Sequence, residues 1–344
     1  MLEKFLIGTY TKKTSEGVYE MTLDTSKKEL LNLNLVAKAG SPTYVAVSKR
    51  GILYAIDKES ENDQTVGGLM VYDTKEKPAK LLQKVLKPGS SPAYVTVDEA
   101  RQLVYTANYH TGIISVYEIA ADGQLTLCDE VQHTGNGPRP EQADGPHPHI
   151  AEQTPDGRIV VADLGNDTVT TYDLHDNHLS EAAVFTCEPG FGPRHIVFDA
   201  KKRVAYLVGE LSSNVSVLTY DESTGAFTLV ETLSTIPNDW TAHNGAAAIR
   251  LTRDGQFLYV SNRGFNSIAV FETSADGHLT LIDNVPTEGD FPRDFNLSAT
   301  EEFLVVVNQN TDNATLFERN ATTGKLSLCQ KDVFVPEGVC VAFE

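Results

Sequence analysis

No stretch of this sequence comes near the roughly 18 uninterrupted apolar residues that a membrane-crossing helix needs. The amino terminus, Met1-Leu2-Glu3-Lys4-Phe5-Leu6-Ile7-Gly8, lacks the basic start, long apolar middle and small-residue cleavage site of a secretory leader. Both absences lead to the expectation of an unprocessed, cytoplasmic chain with no membrane partner. Cysteine is scarce. Cys128, Cys187, Cys329 and Cys340 are far apart and form no CxxC pair, which favours buried thiols over a disulfide framework or a zinc site. Basic residues are few as well: 28 lysines and arginines face 47 aspartates and glutamates, a net charge of −19. Nucleic acid is thereby disfavoured as a partner, because a phosphate backbone needs a basic face. An anionic ligand would be repelled by the global field, so it must be drawn by arginines clustered within a Debye length, ~8 Å at physiological salt. No serine nucleophile elbow, Cys/His/Asn set, P-loop or dinucleotide fingerprint is present.

What is present is a repeat. Six segments open on a Pro or small residue and an apolar strand: Ser41-Pro42-Thr43-Tyr44, Ser91-Pro92-Ala93-Tyr94, His147-Pro148-His149-Ile150, Gly192-Pro193-Arg194-His195, Asn244-Gly245-Ala246-Ala247 and Phe291-Pro292-Arg293-Asp294. Each continues through two more strands and a Gly-centred turn into a fourth, as in Gly123-Gln124-Leu125-Thr126-Leu127 and Gly277-His278-Leu279-Thr280-Leu281. Asp-Gly at 122–123, 156–157, 254–255 and 276–277 marks tight hairpins, since glycine tolerates the positive φ such turns demand. Four short strands about every 50 residues is propeller periodicity. With Trp240 as the only tryptophan and no Trp-Asp signature, the propeller is not of the WD40 kind.

The chain ends supply a seventh copy. Residues 5–36 read as three strands lacking an opening one, and Gly338-Val339-Cys340-Val341-Ala342-Phe343 reads as an opening strand with nothing after it. Pairing the two removes exposed sheet edges at the seam. The expectation is an all-β, seven-bladed β-propeller with four antiparallel strands per blade. It forms one domain over residues 1–344, closed by a shared blade of residues 1–40 and 337–344.

A repeat serves as its own alignment, so a position that is bland in most copies and ionisable in a few is where function has been grafted. One such position follows the opening Pro: Thr43, Ala93, His149, Arg194, Ala247 and Arg293. The second lies just past the second strand: Lys58, Tyr109, Leu164, Glu210, Arg263 and Gln309. Before it runs a polar collar of Asp57, Asn108, Asp163, Gly209, Asn262 and Asn308, which local turn chemistry explains in the main. In a propeller both positions converge on one mouth of the central channel, the default place for a ligand. Arg194 and Arg293 also have a structural reading, as ion pairs with Asp294, Asp199 or Glu210. His147 and His149 flank Pro148 and on an extended strand face the same way, so that with Asp163 they could offer three metal ligands. A lone His-x-His is a weak metal motif, and the expected site holds neither metal nor cofactor. His195 is expected to point away from Arg194 into blade packing, and residues 132–146 to form a long loop at the mouth.

The strings Gly145-Pro146-His147-Pro148-His149, Gly192-Pro193-Arg194-His195, Glu210-Leu211, Ser261-Asn262-Arg263-Gly264 and Val307-Asn308-Gln309 resemble the propeller-type 6-phosphogluconolactonases, a family that includes fungal carboxymuconate-lactonising enzymes. The resemblance spans essentially the whole chain. It implies a hydrolase of a small anionic sugar lactone, with His149, Glu210, Arg194 and Arg263 as catalytic residues. Glu210 or His149 would be the general base and the two arginines would bear the oxyanion or the ligand's charge. Arg293 with Asn308 or Gln309 would meet the phosphate, and His147, Asp163 and Asn262 would line the substrate. The alternatives are a muconate-type lactonising isomerase, another lactone hydrolase, or a non-catalytic binding propeller.

Overall fold

The computed structural model describes residues 1–343; Glu344, the last residue of the expected shared blade, lies outside the described residues. Seven antiparallel sheets of four strands each form the ring. In chain order the blades occupy residues 45–88, 94–132, 148–186, 193–234, 245–286 and 292–334, and are called here the first to the sixth. The shared blade is built from Gly338–Phe343 beside Leu2–Thr9, Gly17–Asp24 and Glu29–Lys38. Among the described residues the one helical turn is the 3-10 turn Pro140–Gln142, and no helix is long and apolar enough to cross a membrane.

Strand composition follows position in the blade. The second strands Leu103–Asn108, Val204–Gly209 and Phe303–Asn308 are buried along their whole length, because both faces are covered by neighbouring blades. Their sequences are accordingly continuous runs such as Phe303-Leu304-Val305-Val306-Val307. Fourth strands, at the rim, are mostly half-exposed or exposed, as in Leu125–Gln132, where Leu125 alone is buried. The core is therefore a set of apolar layers between blades. One of them joins Phe5, Ile7 and Met21 of the shared blade to Phe303, Val305 and Leu316 of the sixth. Polar contacts tie the same interfaces: the hydroxyls of Tyr54, Tyr206 and Tyr259 each donate to the turn carbonyl of the next blade, at Gly123, Gly277 and Gly324.

At the seam, Phe5 lies opposite Phe343 and Gly8 opposite Cys340. The Glu337 carboxylate, 3% exposed, accepts the backbone N–H groups of Lys12, Lys13, Thr14 and Ser15 at 2.9–3.3 Å. The final strand thus fixes both the first strand and the loop that follows it.

The feature that positions the mouth is a fault in the inner ladders of the third, fourth and sixth blades; those of the first and second run without one. Pairing shifts register between Pro148 and Ile150, between Pro193 and His195, and between Pro292 and Asp294. The extra residue in each β-bulge is the one after the proline: His149, Arg194 or Arg293. A bulge leaves one residue outside the ladder and re-aims its side chain. The fifth blade has a wider irregularity between Ala246 and Ile249, and the shared blade skips Val339.

Candidate functional site

The first and second variable positions do meet at the mouth. Glu210 follows the second strand of the fourth blade, Arg194 sits in the bulge of the strand beside it, and Arg263 ends the second strand of the fifth blade. Arg194 Nε and Arg263 Nη2 both lie 2.9 Å from the same oxygen, Glu210 Oε2. Backbone carbonyls hold the arginines from behind: Arg194 Nη1 donates to Ala247 at 2.7 Å, and Arg263 donates to Gly245 and Ala246 at 3.1 and 3.2 Å. Both guanidinium groups are buried, Arg194 2% and Arg263 5% exposed. They are fixed in place before any ligand arrives.

His149 completes the cluster from the third blade. It is 3% exposed, edge-on to Tyr109 and His195, and its Nδ1 is buried without a hydrogen-bond partner. Burial, then the charges of Arg194 and Arg293, hold its pKa well below the ordinary 6.5, so the ring is neutral at physiological pH. For Glu210, burial works to raise the pKa, but the charges of Arg263, Arg194 and Arg293 outweigh it and hold the carboxyl below its ordinary 4.5. Burial and the repulsion of Arg263 push Arg194 down to about 9, against the pull of Glu210. The cluster at neutral pH is one carboxylate between two guanidinium ions, with a neutral imidazole beside it.

The family model "Lactonase, 7-bladed beta-propeller" matches residues 4–343. This chain belongs to that lactonase family. A Bacillus subtilis (strain 168) relative named 6-phosphogluconolactonase is 45% identical over 343 residues, covering 98% of this chain and 97% of its own length. A solved structure from Lactobacillus plantarum has 59% identity and a TM-score of 0.96 over the whole of both chains. The periplasmic gluconolactonase of Pseudomonas aeruginosa has 28% identity and a TM-score of 0.91, covering all of this chain and 99% of that one.

In this lactonase fold Glu210 borders two cavities. One, of about 350 Å³, also includes His149 and Arg293 and is lined further by Tyr10, Lys12 and Lys58. The other, of about 370 Å³, includes Arg263, Phe291, His243 and, from the loop at 132–146, Arg139 and Glu141. Volumes of this size suit a small ligand. The loop is mostly exposed and is anchored at two points: Gln142 is fully buried and donates to the Leu164 carbonyl at 2.8 Å, and Arg139 donates to that of Gly190 at 2.9 Å.

Several expected ligand contacts lie behind the mouth. Asp163 is fully buried; its Oδ1 accepts the N–H groups of His147 and Gly165, and its Oδ2 lies 2.7 Å from His133 Nδ1. Asn262 and Asn308, also fully buried, donate to the carbonyls of Thr235 and Thr287. His147 stacks on Tyr109 with ring centroids 4.3 Å apart, and its two nitrogens face the Tyr109 carbonyl and Asp144. Gln309 is half-buried, its N–H donating to Phe291, and it is not among the residues lining either cavity. Among the described residues no group of three or more His, Cys, Asp or Glu is arranged to hold a metal ion. The reason for His147 and His149 is the bulge between them and the next paired residue, which breaks the two-residue alternation that would have aimed them together.

The same device corrects His195. It does not enter blade packing. Its ring lies 5.1–6.2 Å from those of His149, Tyr94 and Tyr44, which belong to the inner strands of three other blades, so it plugs the channel beneath the site. Deeper still, Arg250 pairs with Asp294 at 3.0 Å, and Tyr94 donates to Glu152. Asp294 is therefore not the partner of Arg194 or Arg293; Asp199 pairs with Lys202 at 3.4 Å. Tyr10 and Lys12, which sequence reasoning gave no role, reach the mouth from the shared blade. Lys58 and Tyr109 were legible as variable positions but carried no assignment.

Proposed function

We propose that this lactone hydrolase opens a phosphorylated sugar δ-lactone, 6-phosphogluconolactone, to 6-phosphogluconate. The observation that carries the reading is Glu210 Oε2 held at 2.9 Å from both arginines, which leaves Oε1 free to take a proton. Water lying against Oε1 gives its proton to Glu210 as its oxygen adds to the lactone carbonyl carbon. The carbonyl oxygen becomes an oxyanion facing the guanidinium groups of Arg194 and Arg263. Collapse of the tetrahedral intermediate breaks the bond to the ring oxygen, which recovers the proton from Glu210 and leaves as a hydroxyl. The acid product then loses its proton to solvent. His149, neutral beside the cluster, orients the water or the ring oxygen and is the second candidate for the base.

Fixed guanidinium ions supply the positive charge, so the reaction is proposed to run without a metal. Arg293, 5.9 Å over the Tyr10 ring and without an ion pair among the described residues, is the proposed contact of the phosphate. A cytoplasmic location accords with four thiols that form no disulfide. The test is hydrolysis of freshly made phosphogluconolactone above its spontaneous rate, with and without chelator. An unaccelerated rate, or full activity of an Arg194→Ala, Arg263→Ala double variant, overturns the reading. A screen against muconate-type acids separates it from a lactonising isomerase.

A further inference from the structure

We propose that Lys12 and Lys58, with Arg293, form the subsite that holds the substrate's phosphate and thereby select phosphorylated over unphosphorylated lactones. The inference rests on the lactone reading of the mouth given above and adds the residues that set its specificity.

Charge makes the first argument. With a net charge of −19, a lysine on this protein generally finds a carboxylate, and pairs such as Lys28–Glu318, Lys84–Glu59 and Lys331–Glu288 close to 2.7–2.8 Å. Lys12, Lys58 and Arg293 make no ion pair among the described residues, yet all three line one cavity. The carboxylate that shares the cavity, Glu210, is already held by Arg194 and Arg263. The surplus in this lobe is therefore positive and local, as an anion needs if it is to bind against the field of the whole chain.

Geometry makes the second. The Lys12 ammonium lies 4.0 Å from the centroid of the Tyr10 ring, and the Arg293 guanidinium lies 5.9 Å from the same ring. An aromatic ring positions cations without neutralising them. The backbone under Lys12 is held in turn, its N–H donating to the buried Glu337 carboxylate at 3.0 Å. Ser41 and Thr43 add side-chain hydroxyls to the same wall. A phosphate dianion accepts such charge-assisted and hydroxyl hydrogen bonds together, whereas an uncharged hydroxymethyl group gains little from them. Because His149 and Glu210 line the same lobe, a lactone whose phosphate is held by the cations shares one cavity with the groups of the proposed proton transfer.

The experiment compares gluconate 6-phosphate with gluconate by calorimetry, and the two corresponding lactones by kinetics. Its proteins are the wild type, a Lys12→Gln, Lys58→Gln variant, and a Lys201→Gln, Lys325→Gln variant that changes net charge equally at exposed turns away from the mouth. Expected is at least tenfold tighter binding of the phosphorylated acid by wild type, lost in the first variant and kept in the second. KM for the phosphorylated lactone should rise at least tenfold in the first variant, with kcat/KM for the unphosphorylated one unchanged. A phosphate preference that survives in the first variant, is absent from wild type, or falls equally in both variants overturns the subsite. Phosphate-selective binding without acceleration of either lactone would sustain the subsite and sink the lactone reading.

Discussion

Arg194 reaches Glu210 within its own blade, Nε to Oε2 at 2.9 Å, from a bulged residue that takes no part in the ladder joining the two strands. The ion pair is built from neighbouring strands of one rigid sheet, and the fifth blade adds Arg263 from across a blade interface. Glu210→Gln should lower kcat by about 10²–10⁴ through loss of the base. It should also destabilise the fold by about 3 kcal/mol, because two buried guanidinium ions lose their counter-charge. Arg263→Ala should cost about 10²–10³ in kcat. Steady-state kinetics and thermal melts check both; near-normal turnover in Glu210→Gln would move the base to His149.

The pH profile of kcat/KM follows from Glu210. Its carboxyl is held below the ordinary 4.5 by three arginines, so the base stays ionised down to pH values at which a free glutamate is half protonated. With the unphosphorylated lactone, which carries no group titrating in this range, kcat/KM should therefore be flat from neutrality to about pH 5 and fall only below 4.5. His149→Asn should lower the plateau and leave the acid limb in place. An acid limb centred near 6.5 would contradict the assignment.

Stability should fall on acidification above that range. His149 and His195 are buried, and burial with the charge of Arg194 holds both well below 6.5. Below pH 6.5 the unfolded chain takes up protons that these rings refuse when folded, so stability declines as pH falls, by about 1.4 kcal/mol per pH unit for each ring. Above 6.5 both states carry neutral imidazole and the contribution is flat. Melting temperatures between pH 7 and 5 should drop less steeply in His195→Gln than in wild type; parallel curves would refute the coupling.

The seam makes a prediction independent of chemistry. Removing residues 337–344 deletes the strand paired with Leu2–Thr9 and the carboxylate that caps four N–H groups of residues 12–15. The truncated chain should melt far below the full one. Glu337→Gln keeps the strand and weakens only the cap, for an expected loss of about 2 kcal/mol. An unchanged melting curve on truncation would show that the ring does not depend on this closure.

The ring and its closure were legible because one grammar recurs in six segments and its missing strand stands at the opposite end of the chain. Arg194, Glu210 and Arg263 were legible as candidates because they stand at two repeat positions where the residue type changes from copy to copy, so the departure shows in a single sequence. The bulges were not. Alternation along an ideal strand put His147 with His149 and sent His195 outward, and the register faults after Pro148 and Pro193 reverse both. Asp163, Asn262 and Asn308 misled for another reason: the residue types that bind sugars also bond turn backbone, and burial decides between the two. Tyr10 and Lys12 carried no assignment because their blade is divided between the chain ends and was not aligned with the others.

Since a bulged residue hangs outside the hydrogen-bond ladder, exchanging its side chain leaves strand register untouched. Ala247 and Val339 fall in such irregularities in the fifth and shared blades, and Thr43 and Ala93 line the cavity at the matching place in the first and second. The propeller thus behaves as a turret of sockets around one opening, several of them filled with small groups. At Thr43 and Ala93, which already line the cavity, an acid, base or ligand contact can be exchanged one blade at a time without disturbing the ladder.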